Sequence, residues 1–341
     1  MDIRTLEPTD IAGLTAWYDL NVVTGRHDLP DFPLPSRQAH MARFDAPWPG
    51  EPETAFLAWQ DGQLVGSASA LLPMIDNTET IYLDLQVHPE HRRRGIGTAL
   101  LERVFAFARE HHRRMIDCQT AIQMPGGPAR EGSGSAFAAT FADKPLLLEV
   151  RSRWTAGNVA DAELDALARD AADQSIGYSL VQWAGRTPAD VVDAIAALES
   201  RLLLDAPLGD MDVEPQHFDA ERIYAGDAAR AGRGFRMYTT AARHDATGAV
   251  VAHTVISVEA GIDEHAWQQI TIVDPAHRGH RLGLLVKLAN HAYARSHEPA
   301  LRVIDTWNAE SNTFMRAVNE QIGFRPVEYW DMWQIPVPAG A

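Results

Sequence analysis

One phrase of eleven residues occurs twice in the chain, and this repeat constrains the fold more than any other feature of the sequence. The first copy is VHPEHRRRGIG at residues 87–97, and the second is VDPAHRGHRLG at residues 273–283. The copies share Val, Pro, His, Arg and the closing Gly at the same offsets. Self-similarity at a fixed distance indicates a duplicated structural unit, so we expect the same fold twice.

The similarity continues on both sides of the phrase. Each copy is preceded by two strand-like stretches joined by turn residues, Asp61-Gly62 in the first and Thr247-Gly248 in the second. Each is followed by apolar residues at helical spacing, at 100–112 and 284–297. Short apolar strands then share Arg-x-Ile-Asp, at 114–120 and 302–308. The order of predicted elements is therefore the same in both copies.

We predict two α/β domains, because 341 residues are many for a single core. The predicted domains are residues 1–157 and 177–341, and an Ala- and Asp-rich helical connector, 158–176, joins them. Each domain begins with a strand and then a helix start, signalled by Thr9-Asp10 in one and by Thr187-Pro188 in the other.

Composition narrows the class of function. The formal charge of −16 makes nucleic acid an unexpected partner. The acidic surface either serves only solubility or attracts a cationic amine substrate. A lone cysteine, Cys118, and no visible export signal or apolar membrane span predict a cytoplasmic protein without a membrane partner. The histidines show no metal-ligand spacing, so we expect no metal. We expect a monomer or homodimer.

The repeated phrase has the features of an anion site. We expect a strand to end at Val87 and a helix to begin between Gly95 and Thr98, whose first N–H groups lack intrahelical partners. Gly95 and Gly97 allow a diphosphate to approach the backbone, and arginines add positive charge. A plain turn with solvated arginines is the alternative, which the duplication disfavours. The spacing matches neither a P-loop nor a dinucleotide fingerprint.

The stretch Arg92-Arg93-Arg94-Gly95-Ile96-Gly97 resembles the Q/R-x-x-G-x-G/A pyrophosphate loop of GCN5-related N-acetyltransferases (GNATs). The second copy is similar, but Arg281 stands where that family usually has Gly. Residues 306–326 resemble the last strand and helix of the family. The resemblance covers nearly the whole chain and is to the tandem, two-domain type, as in mycothiol synthase and related actinobacterial acetyltransferases.

This resemblance implies an α/β (α+β) fold of two tandem GNAT domains, each a mixed, mainly antiparallel sheet flanked by helices. The fourth and fifth strands would splay apart and receive the pantetheine arm of acetyl-CoA. The implied pantetheine contacts are Leu85, Gln86, Val87, Thr271, Ile272 and Val273. The implied diphosphate contacts are Arg92, Arg93, Arg94, Gly95, Ile96, Gly97, Thr98, Arg278, Gly279, His280, Arg281, Leu282 and Gly283. Arg281 would either pair with a phosphate or fill the pocket.

Candidates for the chemistry are fewer. Asp84 is either a general base or a solvent-facing carboxylate, and Ile270 stands at its place in the second copy. The tyrosine common on the family's last helix is replaced by Asn319, and residues 126–145 contain none. Near that helix, Glu310 is a second catalytic candidate. Asn308 and Asn312 are further cofactor candidates, with helix capping as the alternative for Asn312.

An acidic loop, 202–215, completes the set of candidates. Its carboxylates either hold a cationic substrate or are simply solvated: Asp205, Asp210, Asp212 and Glu214. The sequence thus predicts an acetyl-CoA-dependent N-acetyltransferase that acts on a primary amine of a small molecule by direct transfer. One domain would be catalytic, and the acidic loop favours the second. The alternatives are a non-catalytic acyl-CoA-binding sensor and an antibiotic-modifying acetyltransferase.

Overall fold

The computed structural model describes residues 1–339, and their contacts divide into two compact units. The N-terminal unit comprises Met1–Leu148, Gly209–Val213 and the residues from Glu328 onward. The C-terminal unit comprises Glu149–Leu208 and Glu214–Val327. These units do not follow the linear order of the repeats. The predicted division at 157 and 177 therefore stays a prediction about the duplicated sequence and does not describe the compact units.

Helices and strands follow the predicted order twice. The elements in chain order are β1 Asp2–Thr5, α1 Ile11–Asp28, α2 Arg37–Met41, β2 Glu53–Gln60, β3 Gln63–Leu71, β4 Thr80–Val87, α3 Ile96–Glu110, β5 Met115–Ile122, α4 Ser133–Ala138, β6 Leu147–Thr155, α5 Asp161–Asp173, β7 Tyr178–Ala184, α6 Val192–Glu199, α7 Leu202–Asp205, α8 Ala220–Gly232, β8 Phe235–His244, β9 Val250–Glu259, β10 His265–Val273, α9 Leu282–His297, β11 Val303–Ala309, α10 Thr313–Ile322 and β12 Arg325–Pro336.

Each unit contains a mixed, mainly antiparallel sheet flanked by helices, which confirms the predicted fold class. The strand order is β1-β2-β3-β4-β5-β12 in the N-terminal unit and β6-β11-β10-β9-β8-β7 in the C-terminal unit. The β4–β5 and β10–β11 pairs are parallel, and the other pairs described are antiparallel.

The strand beside the fifth strand of each sheet comes from the other half of the chain. In the N-terminal unit β12 pairs with β5, from Tyr329 opposite Ile122 to Pro336 opposite Met115. In the C-terminal unit β6 pairs with β11, from Val303 opposite Thr155 to Ala309 opposite Glu149. The two repeats have therefore exchanged one strand each.

The fourth and fifth strands of both sheets diverge. In the N-terminal unit β4 pairs with β5 over Thr80–Tyr82 only, and in the C-terminal unit β10 pairs with β11 over His265–Trp267 only. Because antiparallel pairing with β3 and β9 continues to Val87 and Val273, the last residues of β4 and β10 keep one free edge among the described residues. This divergence is the gap that the resemblance implied.

Helices cover both faces of the sheets. Leu100, Leu101 and Val104 of α3 pack on one face of the N-terminal sheet, and Leu14 and Trp17 of α1 pack on the other. Each fully buried side chain of this size contributes about 1.5–3 kcal/mol of hydrophobic stabilisation. No helix in residues 1–339 is long and apolar enough to cross a membrane.

The two predicted helix starts had different outcomes. Asp10 caps α1 by accepting a hydrogen bond from the N–H of Gly13 at 2.9 Å, as predicted. The prediction for Thr187-Pro188 is wrong, because α6, the helix that follows the first strand of the second repeat, begins only at Val192. The N–H of Thr187 donates instead to Asp227 at 2.8 Å, and this bond holds the residue in the loop.

Candidate functional site

The two repeated loops have the same backbone conformation, although their residues differ. Each has two left-handed positions, Arg93 (φ 60°) and Gly95 (φ 81°) in the first and Gly279 (φ 85°) and Arg281 (φ 54°) in the second. Gly and Arg have therefore exchanged places between the copies. Since a left-handed residue other than Gly costs about 1–2 kcal/mol, each loop contains one strained arginine.

Both loops lead into a helix whose first N–H groups are unpaired. The first intrahelical bond runs from the N–H of Ala99 to the carbonyl of Gly95, and in the second copy from Leu285 to Arg281. Neither helix has a side-chain cap. Three N–H groups and the positive end of the helix dipole thus lie at each loop, which is the geometry of an anion site.

The side chain of Arg281 is directed to α5. Its guanidinium lies 2.7 Å from the carboxylate of Asp170, and the hydroxyl of Ser175 donates to the carbonyl of His280 at 2.7 Å. The side chain thus does not fill the loop, and pairing of Arg281 with a phosphate stays a prediction. The second loop is braced from α5 and keeps its helix N-terminus open.

Replacing Arg281 by Gly is expected to leave acetyl-CoA affinity unchanged within about twofold. Relief of the left-handed strain and loss of an exposed ion pair are each worth about 1 kcal/mol and oppose one another, so stability should change by less than about 1 kcal/mol. Calorimetric titration and thermal unfolding measure the two quantities. A tenfold gain in affinity would contradict this prediction and indicate that the arginine obstructs the loop.

The side chain of Arg92 is bound by neighbouring protein groups, and its predicted contact with a diphosphate stays a prediction. Its guanidinium donates to the carbonyl of Val87 at 3.1 Å, to both carboxylate oxygens of Asp28 at 2.8 and 2.6 Å, and to Glu131. Burial would lower the pKa of Arg92, but Asp28 and Glu131 raise it overall. Among the described residues His27, Asp28 and Glu131 could approach a metal ion, but Arg92 already supplies positive charge there.

Arg278 repeats this arrangement in the C-terminal unit. Its guanidinium lies 3.4 Å from the carbonyl of Val273 and 3.1 Å from the carboxylate of Asp205. The predicted substrate-binding Asp205 is therefore a structural partner of the loop arginine, as Asp28 is in the first copy. An arginine brace at the end of the fourth strand is common to both repeats.

The remaining loop residues fit the predicted diphosphate site in different ways. Arg93, Arg94, Gly95 and Thr98 are exposed beside the helix N-terminus, as are Gly279 and His280 in the second copy. Ile96 and Leu282 are buried and anchor their helices, so only their backbones face the loop. The predicted pantetheine residues 85–87 and 271–273 lie on the stretches of β4 and β10 that have left their parallel partners.

Asp84 lies on this free stretch of β4, on the face covered by α1. The residue is accessible to solvent, but many protein atoms surround its carboxyl and partly desolvate it. This desolvation raises the pKa of Asp84, and the hydrogen bond from Gln86 opposes the increase without cancelling it. The amide nitrogen of Gln86 lies 3.4 Å from each carboxylate oxygen, and its amide oxygen accepts a hydrogen bond from Thr24 of α1. Thr24 and Gln86 thus orient a carboxylate that burial makes more basic than an ordinary aspartate, which is the direction a general base requires.

The equivalent place in the C-terminal unit is apolar. Ile270 packs into a hydrophobic cluster with α6 and α8, and the β9–β10 register shifts between Gln268 and Thr271. The ionisable pair on this face is His253 and Glu199, with Nε2 and Oε1 3.5 Å apart. Burial lowers the pKa of His253 to about 4 and raises that of Glu199 to about 7. Sequence reasoning missed this pair, because nothing in the spacing of its members connects them.

The residues around α10 are mostly structural. Asn312 caps α10 by accepting from the N–H of Met315 at 3.2 Å, which confirms the capping alternative. Asn319 is buried and donates to Asn308 at 2.7 Å, so this pair ties α10 to β11. Glu310 lies on the exposed turn after β11, 3.6 Å from Arg316. Its catalytic role stays a prediction.

The acidic loop does not form one cluster in one unit. Asp205 and Glu214 belong to the C-terminal unit, whereas Asp210 and Asp212 belong to the N-terminal unit. Asp210 forms an exposed ion pair with Lys144 at 2.7 Å. The backbone N–H and carbonyl of Asp212 bond to the side chain of Gln334 at 2.9 and 3.0 Å. That these carboxylates hold a cationic substrate stays a prediction, and residues 209–213 belong to the N-terminal unit, not to the second repeat's own unit.

The shared Arg-x-Ile-Asp motif places one aspartate in each sheet, with opposite surroundings. Asp305 is fully buried and receives hydrogen bonds at 2.7–2.9 Å from Arg151, Arg153 and His265. Burial would raise its pKa, but these partners lower it overall. Asp117 is also buried, yet one of its carboxylate oxygens has no hydrogen-bond partner, and burial raises its pKa to about 7. The repeated motif identified both aspartates, but the sequence did not predict that one is ion-paired and the other is not.

The chain is similar to known proteins both in sequence and in fold. A family model described as "Acetyltransferase (GNAT) family" matches residues 22–125, which include β4, the first loop and α3. A tandem GNAT protein from the clavulanic acid biosynthesis pathway is similar over 100% of both chains, with 30% identity and a TM-score of 0.83. The chain belongs to the GNAT family.

More distant solved structures share the fold alone. A GCN5-related N-acetyltransferase from Sphaerobacter thermophilus is 16% identical, with a TM-score of 0.65, over 100% of this chain and 96% of that one. N-myristoyltransferase from Saccharomyces cerevisiae, with bound myristoyl-CoA, is 10% identical, with a TM-score of 0.60, over 98% and 79%. No curated protein sequence matches the chain. This tandem GNAT therefore contains the fold twice, and the two copies differ on the fourth strand, where Asp84 in one corresponds to Ile270 in the other.

Proposed function

We propose that the protein is an acetyl-CoA-dependent N-acetyltransferase that acetylates a primary amine of a small molecule by direct transfer in its N-terminal unit. One observation carries this proposal: Asp84, a carboxylate with a raised pKa, lies on the free stretch of β4 that leads into the open anion loop. The C-terminal unit has Ile270 at this place. The proposal thus differs from the sequence-based preference for the second domain.

The chain's own groups suit direct transfer. The α3 N-terminus and the exposed Arg93 and Arg94 would hold the diphosphate, and the free edge of β4 from Leu85 to Val87 would bind the pantetheine amides as a neighbouring strand would. The thioester would then lie near Asp84. Asp84 accepts a proton from the acceptor ammonium, the freed amine forms the new C–N bond, and the C–S bond breaks. The amine nitrogen loses a second proton as the amide forms, and the departing thiolate takes up one proton; solvent carries this proton, because α4 has no tyrosine.

A non-catalytic role is specifically supported for the C-terminal unit. Its loop keeps an open helix N-terminus, but the acceptor side has Ile270 and a buried Asn319 where the family pattern has acid–base groups. We therefore assign acyl-CoA binding without transfer to this unit. An antibiotic-modifying enzyme would use the same reaction and differ in its acceptor. A cytoplasmic location, a small amine as partner, and a monomer or homodimer remain part of the proposal.

Replacing Gly97 by Trp is expected to abolish acetyl-CoA-dependent thiol release, whereas Gly283→Trp is expected to leave it within about twofold. A Cβ at Gly97 lies 3.4 Å from the Phe137 ring, so an indole there would fill the space in front of the α3 N-terminus. Calorimetric titration with acetyl-CoA should show two sites in the wild type, one of them lost in each variant. Thiol release with a panel of primary amines measures activity.

Gly97→Ala is the matched control, because its methyl group makes only an ordinary contact with Phe137 and should bind acetyl-CoA like the wild type. Activity that survives in Gly97→Trp and disappears in Gly283→Trp would transfer catalysis to the C-terminal unit. Absence of binding in the wild type would refute the enzyme assignment altogether.

A further inference from the structure

A buried carboxylate in the N-terminal unit, Asp117, has a hydrogen bond from Gln334 to one side and an unsatisfied oxygen on the other. Asp117 of β5 is 7% exposed, and its Oδ1 has no hydrogen-bond partner. It stands opposite Tyr82 at the last paired position of β4 and β5, so its side chain leaves the sheet on the same face as Tyr82 and Asp84. Burying an unsatisfied charged acceptor costs several kcal/mol, so such an arrangement needs a compensating ligand or a proton.

A second carboxylate is held next to it. Gln334, opposite Asp117 in the β5–β12 ladder, binds both the N–H and the carbonyl of Asp212 at 2.9 and 3.0 Å. Asp212 itself is exposed, so it lies toward solvent from Asp117. The negative charge of Asp212 adds to burial in raising the pKa of Asp117 to about 7. The loop from the second repeat therefore places one acidic group over another.

The other repeat shows what such a position needs. In the C-terminal unit Arg153 stands opposite Asp305, where Gln334 stands opposite Asp117, and Arg151 adds a second cation. Among the described residues no lysine or arginine forms an ion pair with Asp117 or Asp212. The N-terminal unit has the carboxylate but lacks the built-in cation. A cationic ligand would supply the positive charge that the protein itself lacks at this position.

We propose that Asp117 and Asp212 form a cation subsite that holds a second ammonium group of the acceptor while its first amine is acetylated at Asp84. This inference rests on the proposed function of the N-terminal unit. Asp84 lies on the neighbouring strand β4, two residues beyond Tyr82, which stands opposite Asp117. Ordinary strand dimensions then give a separation of about 8 Å between Asp84 and Asp117. The acceptor class is therefore a diamine, or a larger molecule with two amines at such a spacing.

The test compares 1,4-diaminobutane and 1,5-diaminopentane with the monoamine butylamine. Wild-type protein should acetylate a diamine with a kcat/KM at least tenfold above that for butylamine, because a buried ion pair contributes strongly to recognition. Asp117→Asn should remove this advantage by raising KM for the diamine while kcat/KM for butylamine stays within about threefold. Asp143→Asn, which removes an exposed carboxylate of the same unit, is the matched control.

Calorimetric titration with 1,4-diaminobutane in the presence of CoA provides a readout independent of activity. Binding to the wild type that is lost in Asp117→Asn supports the subsite, even if no amine is acetylated and the proposed function fails. Equal use of butylamine and diamines, with no effect of Asp117→Asn, refutes the subsite and leaves the acetyltransferase intact. Heat from Mg²⁺ but not from the diamine would also refute it and make the carboxylates a metal site.

Discussion

Replacing Asp305 by Asn is expected to lower the free energy of unfolding of the C-terminal unit by about 3–5 kcal/mol at pH 7, because it removes the negative charge that faces two arginine side chains at a fully buried position. Arg151 and Asp305 are both fully buried, and Arg153 and His265 also donate to this one carboxylate. The pKa of Asp305 is lowered, so its stabilising contribution is present above its ordinary pKa and is lost as pH falls through the folded-state value.

The same substitution at the repeat-equivalent Asp117 is expected to have the opposite sign. Its pKa is raised from 3.8 to about 7, so the folded state loses stability as pH rises between these values. Asp117→Asn should stabilise the N-terminal unit by up to about 4 kcal/mol at pH 8 and by little at pH 4. This stabilisation also means that a loss of diamine recognition in Asp117→Asn could not be attributed to misfolding.

Differential scanning calorimetry at pH 4, 6 and 8 measures both effects, since 1 kcal/mol corresponds to roughly 2–4 °C for units of this size. Asp143→Asn controls for the loss of one surface charge. If Asp305→Asn unfolded at the wild-type temperature, the arginines would have found other partners. If Asp117→Asn were destabilising, the unpartnered oxygen would have a donor in solution.

Replacing Asp84 by Asn is expected to reduce kcat by a factor of about 10²–10⁴, which is the usual contribution of a positioned general base. The amide keeps the shape and the contact with Gln86 but cannot accept the proton of the acceptor ammonium. Because the pKa of Asp84 is raised, the wild-type rate should increase as pH rises through that pKa. This acidic limb should disappear in the variant, and acetyl-CoA affinity should not change.

Steady-state thiol release over pH 5–9, with the best amine of the panel, measures this effect. Gln86→Ala should give an intermediate loss, because it releases Asp84 from its orienting contact but leaves the carboxylate in place. A rate for Asp84→Asn within threefold of the wild type would exclude Asp84 as the base. Binding of acetyl-CoA by calorimetry separates an effect on chemistry from one on the donor.

The duplicated phrase was sufficient to predict much of the fold. Turn residues, apolar periodicity and the Gly-containing loop are local signals, and they placed β2 to β5 and their repeat equivalents within a few residues. The exchange of β6 and β12 could not be predicted in this way, because the residue pattern of a strand does not specify which distant strand it pairs with. The partners of Arg92, Arg278 and Asp205 were missed for a related reason, since ion pairs form across loops that the sequence does not bring together.

The strand exchange also bears on how this protein is made and how it can change. Because β12 belongs to the N-terminal sheet, that unit cannot complete its sheet until the ribosome has synthesised the chain through Pro336. Expression of either half alone should give an aggregation-prone fragment with an open sheet edge. For the same reason we expect that a break between the repeats would leave each half dependent on the other for one strand of its sheet.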